Sequence, residues 1–257
     1  MIAVFKRELI SYFKSPVGYV VLAFFFFISG FMFVNQFSSG SINMASEIIN
    51  LRSFFVIIVP VMTMGLFADD RKRGTDVLYY TSPVGLLNVV LGKFLAAFFL
   101  QFILFINVFV HMILTAACKG VIDSGTWGTV IVYFFLAALF ISIGIFASSI
   151  TDSQIVAAIV TFVGILLIQL ISVFSTMVSK LFAAILMSSL FRMESEKAGV
   201  ICSRIESAIR WFDPFSKTND FSYGIFKVSS LLYCLSFAAF FIFLTYRKLE
   251  KKRWAKG

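Results

Sequence analysis

The chain has 257 residues, of which 60% are hydrophobic, 18% aromatic and only 14% charged. A soluble domain of this length cannot hide that much apolar surface, so a compact water-soluble protein is excluded. The formal charge of +9 would suggest nucleic acid in a soluble protein. Here the basic residues gather at the ends of apolar runs, the pattern of a membrane protein facing anionic lipid, and no nucleic-acid partner is expected.

In chain order, Ile2, Phe5, Leu9, Tyr12 and Phe13 fall near one helical face, with Lys6, Arg7 and Lys14 largely opposite. That pattern predicts an interfacial amphipathic helix over residues 1–14. This segment is too charged for a cleavable signal peptide, and the apolar run after it is long enough to span. A hydrocarbon core of about 30 Å needs about 20 apolar residues in helix. Six spans are predicted, at 17–37, 51–68, 92–118, 127–150, 154–178 and 226–246. Pro60 lies inside the second and should kink it. An outer segment covers 179–225. Its apolar patch Leu181–Phe191 is too short to cross and reads as a short re-entrant or interfacial helix, with Trp211 and Phe212 as interface anchors. The expected fold is thus a single all-α membrane domain over residues 1–257, embedded in the lipid bilayer.

Six spans put both termini on one side. That side collects Lys6, Arg7, Lys14, Arg71, Lys72, Arg73, Lys93, Arg247, Lys248, Lys251, Lys252, Arg253 and Lys256. The bias places both termini in the cytoplasm of a bacterial inner membrane. Cys118, Cys202 and Cys234 form no close-spaced pair, so neither a zinc site nor a disulfide framework is indicated.

Between the second and third spans, six charged residues crowd into Asp69–Asp76. Orientation alone does not require both signs there. Gly74-Thr75-Asp76 can end one short helix and cap another, and Ser82-Pro83 can start the next segment. The turn 148–154 is very short, and Thr151 or Asp152 can cap the fifth span. Asn107 and His111 are four apart on one helical face, and Gln101 and Gln169 are further polar residues within spans. With no intramembrane Asp, Glu, Lys or Arg beside them, an interhelical hydrogen bond is the simpler reading of Asn107 and His111, against a substrate or proton path.

The order Asp69-Asp70, Arg71-Lys72-Arg73, Gly74-Thr75, Asp76, "VLYY", Ser82-Pro83 and Gly92-Lys93-Phe94 resembles the first cytoplasmic loop of type-2 ABC transporter permeases. "FKRELISYFKSPVGYVVLAFFFFISGFMF" resembles that family's amphipathic entry helix and first span, "FASSITDSQIVAAIVTF" its second cytoplasmic turn, and "DPFSKTNDFSYGIFKVSSLLYCLSFAAFFIFLTYRKLEKKRW" its last span and tail. The likeness covers essentially the whole chain and is strongest to the branch of the gliding-motility-associated permease. Asp69, Asp70 and Asp76 stand where Glu is commoner. The resemblance implies a permease subunit of an exporter, paired with a second permease unit (another copy of this chain or a related permease) and driven by a cytosolic ABC ATPase. It implies a coupling loop at 69–85 in which Asp69, Asp70, Arg71, Arg73, Gly74, Thr75, Asp76 and Leu78 meet the ATPase. Thr151 and Asp152 would give a second contact, and an extracytoplasmic accessory protein is a further partner the outer segment could serve.

No Walker A loop is present. In "GLLNVVLGKF", Leu87 replaces the first Gly and Phe94 the Ser/Thr. The chain is therefore expected to be no enzyme and to bind no cofactor or metal, with ATP used by its partner. Two alternatives stand beside this reading. One is a non-transporting relative that passes ATPase-driven work to an extracytoplasmic partner. The other is a polytopic membrane enzyme, which would need clustered acids, His or Cys at a membrane face; His111 is the only histidine.

Overall fold

The computed structural model describes residues 1–40, 43–81, 85–118, 120–186 and 195–255. Among these there is no strand. Helix α1 (Ile2–Lys14) ends at Ser15, whose backbone is extended, and α2 (Pro16–Ser38) starts directly on Pro16. A residue before proline is pushed out of the helical region, while proline suits a first helical turn, so Ser15-Pro16 makes a sharp corner. Helix α2 buries Gly18, Val21, Phe25, Ser29 and Phe33. That single stripe at helical spacing leaves Tyr19, Phe27, Phe31 and Val34 exposed on the far side.

The second span differs from expectation. Asn43 caps α3 (Met44–Arg52), its side chain accepting from the Ser46 amide. The chain then turns at Ser53-Phe54 into α4 (Phe55–Thr63) and α5 (Gly65–Lys72), with a bend of 53° between α3 and the α4–α5 rod. The sharp bend is therefore not at Pro60, which lies inside α4. Proline removes one helical hydrogen bond but leaves its own carbonyl available, and Met64 N–H still reaches Pro60 O at 2.9 Å. The small interruption at Met64 is bridged from outside. The Ser148 hydroxyl accepts from the Phe67 and Ala68 amides at 3.0 and 3.2 Å and donates to Met64 O at 3.0 Å.

Next come α6 (Val77–Thr81), α7 (Leu86–Ala117), α8 (Ser124–Ile150) and α9 (Gln154–Leu186). They are followed by α10 (Ser195–Arg210), α11 (Pro214–Thr218), a 3₁₀ turn (Asn219–Tyr223) and α12 (Val228–Ala255). The separate short helix expected over Leu181–Phe191 is not seen as such. Leu181–Leu186 continue α9, and 187–191 lie outside the described residues, as do Ser82-Pro83. At about 1.5 Å per residue, α9 is about 50 Å long and overshoots a hydrocarbon core. Helix α10 folds back against it, with the Ser179 hydroxyl reaching Cys202 O and Arg210 reaching Ser175.

Helices α2, α7, α8, α9 and α12 are each long and apolar enough to cross a membrane, and the bent α3–α5 pair makes a sixth if it is one span. The protein is a multi-pass membrane protein. Helix α8 is the pillar, with 72% of its most apolar window buried, against 17% for α9 and 22% for α2 and α12. It packs on α3, α4, α5, α7, α9 and α12. Phe55, Phe105, Tyr133 and Phe140 meet at its centre, with ring centroids 4.6–5.7 Å apart. In lipid, such close packing rather than exclusion of water drives helix association. Gly144 shows how close it is: a Cβ there would lie 2.1 Å from the Thr63 hydroxyl oxygen.

Both termini reach the same end of the bundle. Glu8 of α1 meets Lys93 of α7, and Lys252 of α12 meets Asp76 ahead of α6. The opposite end holds the α9–α10 hairpin, α11 and the 3₁₀ turn, where Arg52 contacts Asn219 and Thr218.

Candidate functional site

At the end carrying the termini, α5 turns into α6 through a left-handed glycine. Arg73 N–H reaches Asp69 O, Gly74 N–H reaches Arg71 O and Thr75 N–H reaches Asp70 O, at 3.0, 3.0 and 2.9 Å. Gly74 has φ +69°. This is the Schellman arrangement, in which a residue free of Cβ strain satisfies the last carbonyls of a helix. The corner expected at Gly74-Thr75-Asp76 is thus built by the backbone itself.

Beneath the corner lies a cluster of buried charge centred on Lys93. Its ammonium is fully buried, 2.9 Å from Glu8 and 2.6 Å from Asp70, and it also donates to Leu66 O. The Phe67 and Tyr79 rings lie 5.0 and 5.6 Å from it. The Tyr79 hydroxyl donates to the same Asp70 oxygen and accepts from Arg7 at 2.6 Å. Arg7 also pairs with Glu8 and lies 3.4 Å from Asp70. The Thr75 hydroxyl closes the other Asp70 oxygen at 3.2 Å.

Each ammonium proton of Lys93 therefore has an acceptor. The two cations Lys93 and Arg7 balance the two anions Glu8 and Asp70, which is what a buried ion group needs to survive desolvation. Burial first, then the Asp70 carboxylate, holds the Tyr79 phenol above its ordinary range, so Tyr79 stays a donor. Burial works against the charge on Arg7, but Glu8 and Tyr79 outweigh it and hold its guanidinium firmly protonated.

The structure divides the predicted corner residues into two groups. Asp70, Arg71, Thr75 and Asp76 turn inward. Arg71 pairs with Asp152 at 3.2 Å and donates to the carbonyls of Thr151 and Ser149. Asp76 is buried and pairs with Lys252 at 2.9 Å. Thr151 and Asp152 thus sit beside the corner, joined to it through Arg71. Facing outward are the surface pair Asp69–Arg73 at 3.0 Å, with Lys72, Gly74, Val77 and Leu78; Leu78 is 60% exposed. A cavity of about 460 Å³ opens alongside, lined by Arg7, Tyr12, Asp69, Arg73 and Gln154 among others.

The cluster also contains Arg7, Glu8, Tyr79, Lys93 and Lys252, which sequence reasoning did not place in the site. One signal could have marked Lys93: it sits seven residues inside an otherwise uncharged 32-residue helix, where an intramembrane lysine demands a partner.

Within the spans, Gln101 accepts no bond at its oxygen but donates to the Tyr133 hydroxyl at 2.6 Å, and Gln169 donates to Ser53 O at 3.0 Å. Asn107 is half-buried, and among the described residues no hydrogen bond joins it to His111. The expectation that no intramembrane acid accompanies His111 is overturned. Helix α3 folds into the bundle and places Glu47 Oε1 2.8 Å from His111 Nδ1. Glu47 stands four residues before the predicted second span. The 53° bend lets α3 pack as a separate limb, which carries the acid inward.

A bundle of long apolar helices with a cluster of buried charge beneath one helical corner defines the class: a multi-pass membrane protein. The model of the ABC-2 family transporter protein family matches residues 2–249, and the chain belongs to that family. No curated protein matches the chain. Proteins of this family are membrane permease subunits, generally without enzymatic activity of their own, that associate with a cytosolic ABC ATPase and dimerise in the membrane.

Proposed function

We propose that this chain is the permease subunit of a bacterial exporter, that its termini and the α5–α6 corner lie in the cytoplasm, and that a separate ABC ATPase docks on that corner. The density of Lys and Arg at the terminal end supports the orientation. Export rather than uptake follows the resemblance of the chain to type-2 permeases, and a second copy of the chain completes the membrane unit.

The observation that carries the docking reading is the split in the corner. Its inward acids anchor α5 and α6 to α1, α7 and α12 through Lys93, Arg7 and Lys252. Its outward tip offers two basic residues, Lys72 and Arg73, and the exposed side chains of Val77 and Leu78. An apolar contact ringed by charge is the anatomy of a compact protein interface. Because the tip is tied to three other helices, a push on it moves them together.

Leu78→Asp tests this. The variant should insert and express normally, since its site is exposed, but lose co-purification of the ATPase and ATP-driven cargo flux by tenfold or more, taking about 1.4 kcal/mol per decade. Wild-type complex formation by Leu78→Asp would reject the corner as the docking surface. For orientation, a lone thiol at Val200 should react with an impermeant reagent on intact cells, and one at Lys251 should not.

A further inference from the structure

Helices α2, α8 and α9 all pack on α4, yet one stripe of the α4–α5 rod stays open. Ile57, Val61, Gly65, Asp69 and Arg73 are all at least partly exposed, as is Met64 beside them. Spaced four apart, the first five form one ridge inclined to the helix axis. The stripe changes character along its length. Ile57, Val61 and Met64 are apolar, whereas Asp69 and Arg73 are charged and stand at the terminal end. The cavity of about 460 Å³ lies at this change. Val61, Met64 and Gly65 line it from the rod, Val17 from the first turn of α2, and Gln154 from the first turn of α9. Beyond those first turns α2 and α9 present mostly exposed apolar side chains, so the cavity sits where the bundle meets lipid.

We propose that this cavity holds the head group of one zwitterionic, amine-bearing phospholipid, whose acyl chain runs along Met64, Val61 and Ile57. The charges on its wall fit such a head group. Glu8 and Asp70 line the cavity but are already held by Lys93 and Arg7. Asp69, among the described residues, pairs with Arg73 alone, at 3.0 Å and near the surface. A pair of that kind is weakly held, so each member can turn to a ligand group of opposite sign. Arg73 then donates to the phosphate, as a guanidinium does well, and Asp69 accepts from the ammonium. Arg7 lies on the same wall, and its bonds run from Nε and Nη2, which leaves Nη1 for a second phosphate contact.

The length agrees with one leaflet. From Asp69 to Ile57 the rod rises about 18 Å at about 1.5 Å per residue, against about 15 Å for half of a hydrocarbon core. The same wall disfavours other lipids. An anionic glycerol head group brings no cation for Asp69, and a quaternary ammonium has no N–H to give it. This inference does not rest on the docking reading, because it needs no ATPase and no assignment of which side is cytoplasmic.

Native mass spectrometry of the full-length chain alone tests it. The chain is titrated with phosphatidylethanolamine, phosphatidylcholine and phosphatidylglycerol carrying identical acyl chains. One phosphatidylethanolamine should bind about tenfold more tightly than either of the others, the effect of one hydrogen bond to a charged group. Asp69→Asn should erase that preference. Gly65→Leu should lower the binding of phosphatidylethanolamine by a similar factor, because its side chain enters the cavity. A Cβ at Gly65 meets only Gln154 Nε2 and Asp69 Cβ, at 3.9 and 4.0 Å, so the melting temperature of this variant should be close to that of the wild type. Asp69→Asn decides by itself if Gly65→Leu does not fold. Equal binding of the three lipids by the wild type overturns the site, and so does a preference that persists in Asp69→Asn. Free phosphoethanolamine displacing the lipid at equal concentration would assign the pocket to a soluble ligand and overturn the acyl track.

Discussion

Lys93 and Glu47 are both completely buried ionisable residues, set near opposite ends of the same bundle. Lys93 has three acceptors and neighbours whose charges cancel. Glu47 has one basic partner and an oxygen with none. A filled shell makes a buried charge a fixed strut, because every departure leaves something unpaired. An unfilled shell leaves the acid dependent on a single partner, because nothing else among the described residues compensates its second oxygen. The terminal end thus has the construction of an anchor, while the α3 end rests on a single acid–imidazole contact.

The sharpest way to break this contrast is Lys93→Ala. Glu8 and Asp70 would then share a buried site with only Arg7 between them. Losing one partner of a buried group of this kind costs about 3–5 kcal/mol. The more exposed Lys252 serves one acid, Asp76, rather than two, so its replacement by alanine should cost less than that of Lys93. Thermal melting of the purified full chain compares them, and equal small losses would remove the strut.

Tyr79→Phe probes the same shell more gently. It deletes one hydroxyl that serves both Asp70 and Arg7, and hydrogen bonds to charged groups contribute about 1.5–3 kcal/mol. It also carries a pH signature. Because the folded protein holds the Tyr79 phenol above its ordinary value, the stability this adds is complete below about pH 10, the free tyrosine value. It declines as pH rises further, since the unfolded chain then releases a proton that the folded one keeps. The variant should lack that part of the alkaline decline.

Gly144→Ala tests the packing that holds α4 and α5 above the cluster. The added Cβ would collide with Thr63, and overpacking of this sort costs about 1–3 kcal/mol. Thr63→Ala in the same chain should recover part of the loss, an interaction that melting of the two single and one double variant would isolate.

The two ends were unequally legible in the sequence. Apolar runs marked the long helices, because a membrane span needs a length that local composition reveals. Gly74 announced its corner, because a left-handed turn selects its residue. The ion groups gave no such signal. Lys93 joins Glu8 across 85 residues, His111 joins Glu47 across 64 and Lys252 joins Asp76 across 176, and no local pattern encodes a pairing at that separation. Glu47 was hidden further by the bend. Read as a straight span starting at Leu51, the sequence leaves it in a loop, whereas the turn at Ser53-Phe54 brings it inside. Pro60 drew attention as the obvious helix breaker, yet a proline inside an apolar helix can be carried by neighbouring bonds, while the polar Ser53 and the packing of α3 set the true corner.

The mildest change is Gly74→Ala. The residue holds φ +69° with nothing within 4 Å of a would-be Cβ, so the substitution meets no clash and its whole cost is the left-handed backbone, about 1–2 kcal/mol. That strain falls on the corner alone. The Thr75 amide, bonded to Asp70 O, should exchange its hydrogen faster, by about tenfold for each 1.4 kcal/mol if local opening governs the exchange. Amides of α3 and the imidazole of His111 should be unchanged, because the strut between them and the corner is intact. Faster exchange in α3 would mean that the two ends open together, and the contrast between a filled and an unfilled shell would give way to a single coupled unit.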